Sequence, residues 1–293
     1  MPRIESPSNP RIAAAARAVA ASDRMLLEGK RMVEEALDAG IAVDEVFVVE
    51  EMSEENEDFL RRVRGEGAPG DGGATPPPGI TEVTPRVLKR LSDLPSTRGV
   101  AALAPPPHRT LSSLSSYSPS KKTSSSNVSR NAGAASVHGS EAEISSSLFV
   151  LLDGVQDPAN VGAIVRCAEA FGVAGVVATP GCAWPFSPRA LRASAGSALR
   201  VPIATRIAPE AAVAWARANG AVLAGAEAHG GETPDRAAKI RPLVLVVGSE
   251  GHGISAELGT ALDRRLTLPL GGNVESLNAA VATGLLLFIL TRP

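Results

Sequence analysis

The stretch Leu268-Pro-Leu-Gly-Gly-Asn-Val-Glu-Ser-Leu-Asn278 runs directly into an apolar segment, residues 279–290. This order predicts the end of a buried strand, then a glycine-rich turn, then a helix whose N-terminus carries Ser276 and Asn278. Either side chain can cap the helix, and the free N–H groups of a helix N-terminus favour electron-rich ligands. A glycine-rich loop before a helix is more often a plain turn than a binding loop, so this stretch alone assigns no function.

Two further stretches are built in the same way. One is Leu151-Leu-Asp-Gly-Val-Gln-Asp-Pro-Ala-Asn-Val-Gly-Ala-Ile-Val-Arg166, and the other is Leu243-Val-Leu-Val-Val-Gly-Ser-Glu-Gly-His-Gly-Ile-Ser255. In each, an apolar strand ends in a turn of glycine and polar residues, and a helix follows. Open sheets of parallel strands bind ligands outside the carboxyl ends of the strands. The three stretches therefore predict a ligand site at one edge of a sheet.

Together the three motifs resemble the signature motifs of the SpoU (TrmH) family of RNA ribose 2′-O-methyltransferases, in the SPOUT superfamily. The resemblance covers residues 148–293, with the motifs in order and correctly spaced. Residues 1–107 also resemble the small RNA-binding domain that often precedes this catalytic domain. The resemblance implies an α/β fold, with a C-terminal parallel-sheet SPOUT domain that contains a deep trefoil knot and a small L30e-like α/β domain before it. A knot is a rare exception to the usual rules of chain connection.

The apolar pattern of residues 148–293 separately predicts a parallel sheet with helices on both faces. No G-x-G-x-x-G follows the first strand, as it would in a dinucleotide-binding domain. The predicted strands are 148–154, 174–178, 201–204, 221–226, 243–248 and 265–268. The predicted helices lie near 160–171, 187–195, 209–218, 254–262 and 276–290.

Residues 1–107 alternate between helices and strands, which suggests a small α/β sandwich. A loop rich in proline and glycine is predicted at 68–79. The predicted strands are 46–49 and 99–103. The predicted helices are 11–21, one within Met25–Gly40, 54–63 and 84–91.

Residues 108–147 form a predicted linker between the domains 1–107 and 148–293. The segment from Leu111 to Ser147 contains 15 serines and almost no apolar side chains. Such a composition buries too little apolar surface to offset the entropy lost on ordering, so disorder is predicted.

The charge of the chain does not favour a general attraction to nucleic acid. The formal net charge is −2, and residues 1–107 hold 13 Lys and Arg against 18 Asp and Glu. Residues 148–293 hold 12 against 11. Any RNA must therefore be held by local clusters of positive charge.

Two cysteines and four scattered histidines offer no metal-ligand spacing, so no metal site is expected. No apolar run reaches about 18 residues, so no membrane span is expected. The start of the chain has too little apolar content for a secretory signal, and the two cysteines make no disulfide framework. A cytoplasmic location is the expectation, with an organelle as the open alternative.

The resemblance implies transfer of a methyl group from S-adenosylmethionine to a ribose 2′-hydroxyl. By motif position, the candidate catalytic residues are Asn160, Arg166, Glu250, Ser276 and Asn278. Because the pKa of arginine is above about 12, we expect Arg166 to stabilise developing alkoxide charge and hold a phosphate rather than act as a base. We expect Glu250 to hold Arg166 or Asn160. Ser276 and Asn278 should orient Arg166 and the ribose.

The family binds its cofactor largely through backbone groups that line the knot. Apolar walls with backbone N–H and C=O groups suit an adenine ring, which needs a flat slot and a few hydrogen bonds at its edge. The corresponding cofactor-binding positions are Gly248, Leu268 and Leu277, with Ala226, Glu227 and Leu270 nearby.

Candidate phosphate contacts lie in both predicted domains, and an ordinary solvated charge is the alternative for each. In residues 1–107 these candidates are Asn9, Arg11, Arg31, Arg86, Lys89, Arg90 and Arg98. In residues 148–293 they are Arg189 and Arg192.

The resemblance also implies a homodimer with the active site at or near the interface. Arg166 would act within its own subunit or across that interface. The apolar stripe Val281, Leu285 and Phe288 on the last helix would serve the core or the dimer.

The favoured function is 2′-O-methylation of a structured RNA, ribosomal rather than transfer RNA, since the first domain resembles a ribosomal-protein-like module. A transfer RNA substrate is one alternative. A catalytically silent RNA- or ribosome-binding protein is the other, and the intact set of candidate catalytic residues argues against it.

Overall fold

The structure is a computed structural model that describes residues 2–49, 57–65, 77–92, 99–114 and 147–292. The chain divides into two compact units. Residues 184–200, which the sequence pattern assigned to the catalytic domain, pack with the N-terminal part of the chain. The first unit comprises residues 1–107 and 184–200, and the second comprises residues 108–183 and 201–293.

The first unit contains a mixed five-stranded sheet with the strand order β1-β4-β3-β5-β2. Strand β5 runs antiparallel to both of its neighbours, whereas β1, β4 and β3 are parallel to one another. The strands are β1 (Arg3–Ile4), β2 (Met25–Glu28), β3 (Glu45–Val49), β4 (Gly79–Val83) and β5 (Val100–Ala104). The helices of residues 1–107 are α1 (Pro10–Ala20), α2 (Lys30–Asp38), α3 (Glu57–Val63) and α4 (Pro85–Leu91).

Three strands of this sheet, β1, β2 and β4, are absent from the prediction. The segment Met25–Gly40 is not one helix, because its first four residues form β2 and pair with β5. Met25, Leu26 and Leu27 are fully buried, as expected of a strand covered on both faces rather than of an amphipathic helix. Gly29 takes φ 85° between β2 and α2, a conformation that favours glycine. Strand β4 begins at the end of the predicted loop 68–79, whose residues 68–76 lie outside the described ranges.

Helices α1 and α4 pack against each other and against the sheet. Ile12 and Ala15 of α1 share one core cluster with Val87, Leu88 and Leu91 of α4. Each helix begins with a side-chain cap: Asn9 accepts a hydrogen bond from the Arg11 N–H, and Thr84 accepts one from the Val87 N–H.

The second unit contains a six-stranded sheet with the order β11-β9-β10-β6-β7-β8, and all of its pairs are parallel. The strands are β6 (Leu148–Asp153), β7 (Gly175–Ala178), β8 (Ile203–Ala204), β9 (Val222–Ala226), β10 (Leu243–Gly248) and β11 (Arg264–Leu266). The helices of residues 108–293 are α5 (Leu111–Leu114), α6 (Pro158–Ala170), α7 (Pro188–Ser194), α8 (Pro209–Ala218), α9 (Ala256–Ala261) and α10 (Ala279–Leu290).

The predicted α/β class and the parallel sheet are confirmed, and each predicted strand of residues 148–293 is found within a few residues of its expected position. The last helix begins at Ala279 rather than at residue 276, because Asn278 is its capping residue. The trefoil knot and the L30e-like character of the first unit stay predictions.

Part of the predicted linker is ordered. The Arg109 N–H donates to the Ile203 carbonyl at 3.1 Å, and Leu114 at the end of α5 is fully buried. Gly175 makes room for Leu114, because a Cβ at that position would lie 2.9 Å from Leu114 Cδ2. Residues 108–114 therefore belong to the core of the second unit, and the prediction of disorder is wrong for them. Residues 115–146 lie outside the described ranges.

Candidate active site

The polar turns of the three motifs meet at the carboxyl edge of the parallel sheet. Strands β9, β10 and β6 are direct neighbours, so the turns that follow them lie side by side. The loop 267–278 joins them from the other end of the chain and leads into α10. Together the ends of β9 and β10, this loop and the first turns of α10 enclose a cleft of about 570 Å³.

The turn after β10 requires glycine at position 248. It folds back so tightly that the Ser249 N–H donates to the Gly253 carbonyl and the Gly253 N–H donates to the Ser249 carbonyl, at 3.1 and 2.9 Å. A Cβ at Gly248 would overlap the backbone of Gly253 and Ile254. This close approach fixes the position of Glu250 at the tip of the turn.

A chain of side-chain hydrogen bonds connects the three motifs. Asn160, on the first turn of α6, donates from Nδ2 to Glu250 Oε1. Asn278 Nδ2 donates to Asn160 Oδ1 at 2.9 Å. Asn278 Oδ1 in turn accepts from the N–H groups of Ala280 and Val281 at 3.0 and 3.3 Å. Glu250 therefore holds Asn160, one of its two expected partners, and Asn278 orients Asn160 rather than Arg166 as expected.

A buried carboxylate stabilises the turn that carries Glu250. Asp153, at the end of β6, is 7% exposed. Its Oδ2 accepts from the Ser255 N–H at 2.6 Å, and its Oδ1 accepts from the Thr179 hydroxyl at 3.2 Å. Ser255 ends the turn that carries Glu250 and caps α9. Asp153 was not among the sequence candidates, although a lone aspartate at the end of an apolar strand is a visible signal.

All six predicted cofactor-binding residues line the cleft, and so do the candidate catalytic residues Glu250, Ser276 and Asn278. Ser276 lies in the loop before α10 and not on the helix. Sequence reasoning missed the inner face of α10, although the helical spacing of Ala279, Ala282 and Leu286 would identify it. Also missed were His229 and Glu275, which have no distinguishing signal in the sequence.

The walls of the cleft fit an adenosine-like cofactor. Leu266, Leu268 and Leu286 provide apolar surface, and the turn at Gly248 brings backbone groups to the edge of the cleft. A volume of about 570 Å³ lies within the range of small-molecule sites, roughly 300–1,000 Å³. Among the described residues no group of three or more His, Cys, Asp or Glu is placed to hold a metal ion.

Arg166 is not among the residues that line this cleft. It lies on α6 and is exposed. Within the described ranges its side chain makes no hydrogen bond or ion pair. Burial raises the pKa of the neighbouring Cys167 thiol, and the charge of Arg166 lowers it in part. Burial also raises the pKa of Cys182, so neither thiol is activated as a nucleophile.

An exposed apolar stripe lies on the helix packed against α6. Val281, Leu285 and Phe288 of α10 are 53%, 43% and 42% exposed. The two helices approach closely, since a Cβ at Gly284 would lie 3.2 Å from the Cys167 sulfur. Within one copy of the chain the stripe is therefore not part of the hydrophobic core. Of the two roles that the sequence left open, core or dimer interface, the core is thus excluded.

Several candidate RNA contacts of the first unit already have partners in the protein. Arg86, Lys89 and Arg90 of α4 have none among the described residues, and Arg98 lies outside the described ranges. Asn9 caps α1, and Arg11 Nη2 donates to Glu45 at 2.6 Å. Arg31 lies 3.9 Å from Glu35, with its side chain 86% exposed. Arg192 forms an ion pair with the nearly buried Glu28, and Arg189 is exposed on the same helix, α7.

Across the described ranges, no helix is both long and apolar enough to cross a membrane.

Comparison with known proteins places these motifs in a family. Residues 147–288 match the model described as the SpoU rRNA Methylase family, and residues 17–102 match that of the MRM3-like substrate binding domain. An uncharacterized tRNA/rRNA methyltransferase of Mycolicibacterium vanbaalenii is 40% identical over 147 residues, which are 50% of this chain and 46% of that protein. The chain thus spans about half the length of the curated relatives it matches.

Solved structures resemble nearly the whole chain. The crystal structure of an RNA 2′-O ribose methyltransferase is 26% identical, with a TM-score of 0.70, over 98% of this chain and 97% of that one. An AdoMet-bound rRNA methyltransferase from Sinorhizobium meliloti is 24% identical, with a TM-score of 0.75, over 98% of this chain and 96% of that one, and shares the fold.

Proposed function

We propose that this chain, which belongs to the SpoU rRNA methylase family over residues 147–288, transfers a methyl group from S-adenosylmethionine to a ribose 2′-hydroxyl of RNA. The observation that carries the proposal is the hydrogen-bonded chain Glu250–Asn160–Asn278 beside the cleft. It links all three motifs at the edge of the sheet where parallel α/β folds bind ligands.

The cleft is the proposed cofactor site. Leu268, Leu270 and Leu277 would hold the adenine between apolar walls, and the backbone around Gly248 would recognise its edge. Glu227, which forms an ion pair with Arg265, provides a carboxylate at the end of β9. When bound, S-adenosylmethionine supplies a methyl group on a positively charged sulfur, which a ribose oxygen can attack.

The protein has to align the ribose and stabilise the charge on its oxygen as the proton leaves. Arg166 stays protonated at neutral pH and is the proposed electrostatic stabiliser of the alkoxide and of an adjacent phosphate. Glu250 and Asn278 hold both polar atoms of the Asn160 amide. The side chain of Asn160 therefore needs little rearrangement during the reaction. The proton leaves to solvent or to the RNA phosphate.

A homodimer is part of the proposal because the cleft and Arg166 are separate within one chain. Arg166 lies on α6, and the exposed stripe Val281, Leu285 and Phe288 lies on the helix packed against it. Pairing two copies through this stripe would remove apolar surface from water. It would also bring Arg166 of one subunit towards the cleft of its partner.

Ribosomal RNA is the proposed substrate. The matched family is described by that activity, and residues 17–102 match a substrate binding domain. The solved relative that is 26% identical is an RNA 2′-O ribose methyltransferase, which supports ribose rather than base as the acceptor.

The proposal is tested by incubating the protein with methyl-labelled S-adenosylmethionine and unmodified ribosomal or transfer RNA, followed by nucleoside analysis. We expect label in a 2′-O-methylnucleoside from ribosomal RNA. Arg166→Ala should lower the rate about 10²–10³-fold, as does the loss of one stabilising donor in other enzymes. Arg236→Ala is the matched control, since Arg236 is an exposed arginine that does not line the cleft.

Cofactor binding without transfer to either RNA would contradict the proposed reaction and favour a silent RNA-binding protein. Label on a base, or an equal loss in the Arg166→Ala and Arg236→Ala proteins, would contradict the proposed chemistry.

A further inference from the structure

The first unit is acidic, yet the proposed function requires it to bind RNA. Its residues 1–107 and 184–200 together carry 18 Asp and Glu against 16 Lys and Arg. Most arginines that the structure describes in this unit have a carboxylate as a neighbour, which reduces their attraction to phosphate. These ion pairs are Arg3–Glu5, Arg11–Glu45, Arg24–Asp44, Arg61–Glu57, Arg62–Asp38, Arg192–Glu28 and Arg200–Glu35.

Helix α4 departs from this arrangement. Its residues Val87, Leu88 and Leu91 are buried in the core of the unit. The intervening residues Arg86, Lys89 and Arg90 are exposed, and their i, i+3, i+4 spacing places them together on the outward side. Within the ranges that the structure describes, none of these three side chains makes a hydrogen bond or an ion pair.

The neighbouring helix α1 adds a fourth charge. Its core positions are Ile12 and Ala15, with Ala16 and Val19 packed beside them. Arg17 is exposed, and in the described part of the chain its side chain likewise has no carboxylate partner. Because α1 and α4 pack against each other on one face of the sheet, Arg17 lies on the exposed side of the helix next to α4.

We propose that Arg17, Arg86, Lys89 and Arg90 form an RNA-docking surface, the α1/α4 basic face, which contacts the phosphate backbone. The inference rests on the proposed function for its substrate class, RNA, and adds the surface that binds it. A compact set of unpaired cations in an otherwise acidic unit concentrates its attraction for phosphate at one place.

The composition of the two helices also indicates how the α1/α4 basic face binds RNA. The sequences Pro10–Ala20 and Pro85–Leu91 contain no aromatic residue on which an unstacked base could rest. Arginine and lysine contacts to phosphate position a nucleic acid without reading its sequence. The α1/α4 basic face should therefore strengthen RNA binding uniformly and leave the choice of the methylated nucleotide to other contacts.

The test compares the full-length protein with the variant Arg86→Gln/Lys89→Gln/Arg90→Gln. The probe is a fluorescein-labelled RNA hairpin, and its anisotropy gives Kd over a series of salt concentrations. The control Arg24→Gln/Arg61→Gln/Arg62→Gln removes the same charge from exposed arginines that have carboxylate partners. A second control, Arg86→Lys/Arg90→Lys, keeps the charge of the face.

We expect the first variant to bind the hairpin about tenfold more weakly at low salt, with a salt slope shallower by about two to three. The paired-arginine control and the charge-keeping control should both stay within about twofold of wild type. Methyl transfer by the same wild-type preparation is measured in parallel. Its absence, with the binding results unchanged, would remove the proposed reaction and leave the docking surface in place.

Three outcomes would overturn the α1/α4 basic face. One is an unchanged Kd and salt slope in the first variant. Another is an equal loss in the paired-arginine control, which would mean that net charge alone matters. The third is binding to vesicles of equal parts phosphatidylserine and phosphatidylcholine without binding to the hairpin.

Discussion

Polar residues are arranged differently in the two units of this chain. In the first unit several candidate RNA contacts are satisfied by groups of the same unit that line no cleft: Arg11 pairs with Glu45, and Asn9 caps a helix. In the second unit Glu250, Asn160 and Asn278 join turns that are far apart in sequence. The sheets explain the contrast, since an all-parallel sheet gathers its strand-end turns at one edge and a mixed sheet divides them between two.

The contrast suggests a criterion for the functional side chains of this chain. A charged or polar side chain serves function here where the fold connects it to a cleft or leaves it without a neighbouring carboxylate. By that criterion we propose that the second unit holds the reaction centre, made from the cleft of one subunit and Arg166 of its partner.

The largest effect is expected from Gly248→Ala. Its new methyl group would overlap the backbone of Gly253 and Ile254, so the turn that carries Glu250 must move. Affinity for S-adenosylmethionine, measured by calorimetry, should fall at least about 100-fold, in line with the loss of a fixed site geometry. Gly251→Ala is the control on the same turn, because nothing lies within 4 Å of a Cβ there. Equal affinities for the two variants would mean that the turn does not shape the cleft.

The next effect is expected from Asp153→Asn. The substitution leaves the N–H of Ser255 and the hydroxyl of Thr179 without the charged acceptor that both now use. The free energy of unfolding in urea should fall by about 1–3 kcal/mol. Asp235→Asn, an exposed aspartate in the same unit, should change it by less than about 0.5 kcal/mol. An unchanged stability of the Asp153→Asn protein would show that this carboxylate is not a structural support.

A smaller, pH-dependent effect is expected from Asp263→Asn. Arg217 donates to this carboxyl at 2.6 Å and holds its pKa below the ordinary value, helped by the Leu223 N–H. A lowered pKa in the folded state stabilises the protein above the unfolded pKa, and this stability is lost as the pH falls through the folded pKa. Because the pair is partly exposed, the deficit at about pH 7 should be under about 1 kcal/mol and should shrink at about pH 3. A deficit that grows on acidification, in urea titrations at the two pH values, would contradict this assignment.

The smallest effect is expected from Arg11→Gln in the first unit. The exposed pair with Glu45 contributes about 0.2–1 kcal/mol to the free energy of unfolding. Affinity for an RNA hairpin, measured by anisotropy, should stay within about twofold of wild type, because the carboxylate already balances this charge. A tenfold loss of RNA affinity would restore Arg11 as a phosphate contact and weaken the contrast between the units.

Sequence reasoning located the second unit well because its central strands, β6 and β10, are nearly continuous apolar runs with a glycine at or just after their end. It missed β2, because a single residue, Gly29, separates the four residues Met25–Glu28 from a helical pattern. It also missed the burial of Leu114, which depends on a space beside Gly175 that only the fold creates. The Arg192–Glu28 pair joins residues 164 positions apart, and no local pattern indicates such a contact.

Within the site, motif positions identified the lining of the cleft, and local chemistry identified Asn278 as a cap. The same reasoning left open whether Glu250 would hold Arg166 or Asn160. That choice depends on how the turn at Gly248 is aimed relative to α6, which is a property of the packed sheet.

A reaction centre shared between two subunits is tested most directly by mixing two inactive proteins. One is Arg166→Ala, which has an intact cleft, and the other is Gly248→Ala, which has an intact arginine. After subunit exchange, methyl transfer to unmodified ribosomal RNA is measured against each variant alone. If Arg166 completes the partner's cleft, the equal mixture should recover about a quarter of the wild-type rate, because half of the dimers then hold one complete centre. If subunit exchange is verified and the mixture is no more active than either protein alone, the reaction centre is not shared between subunits.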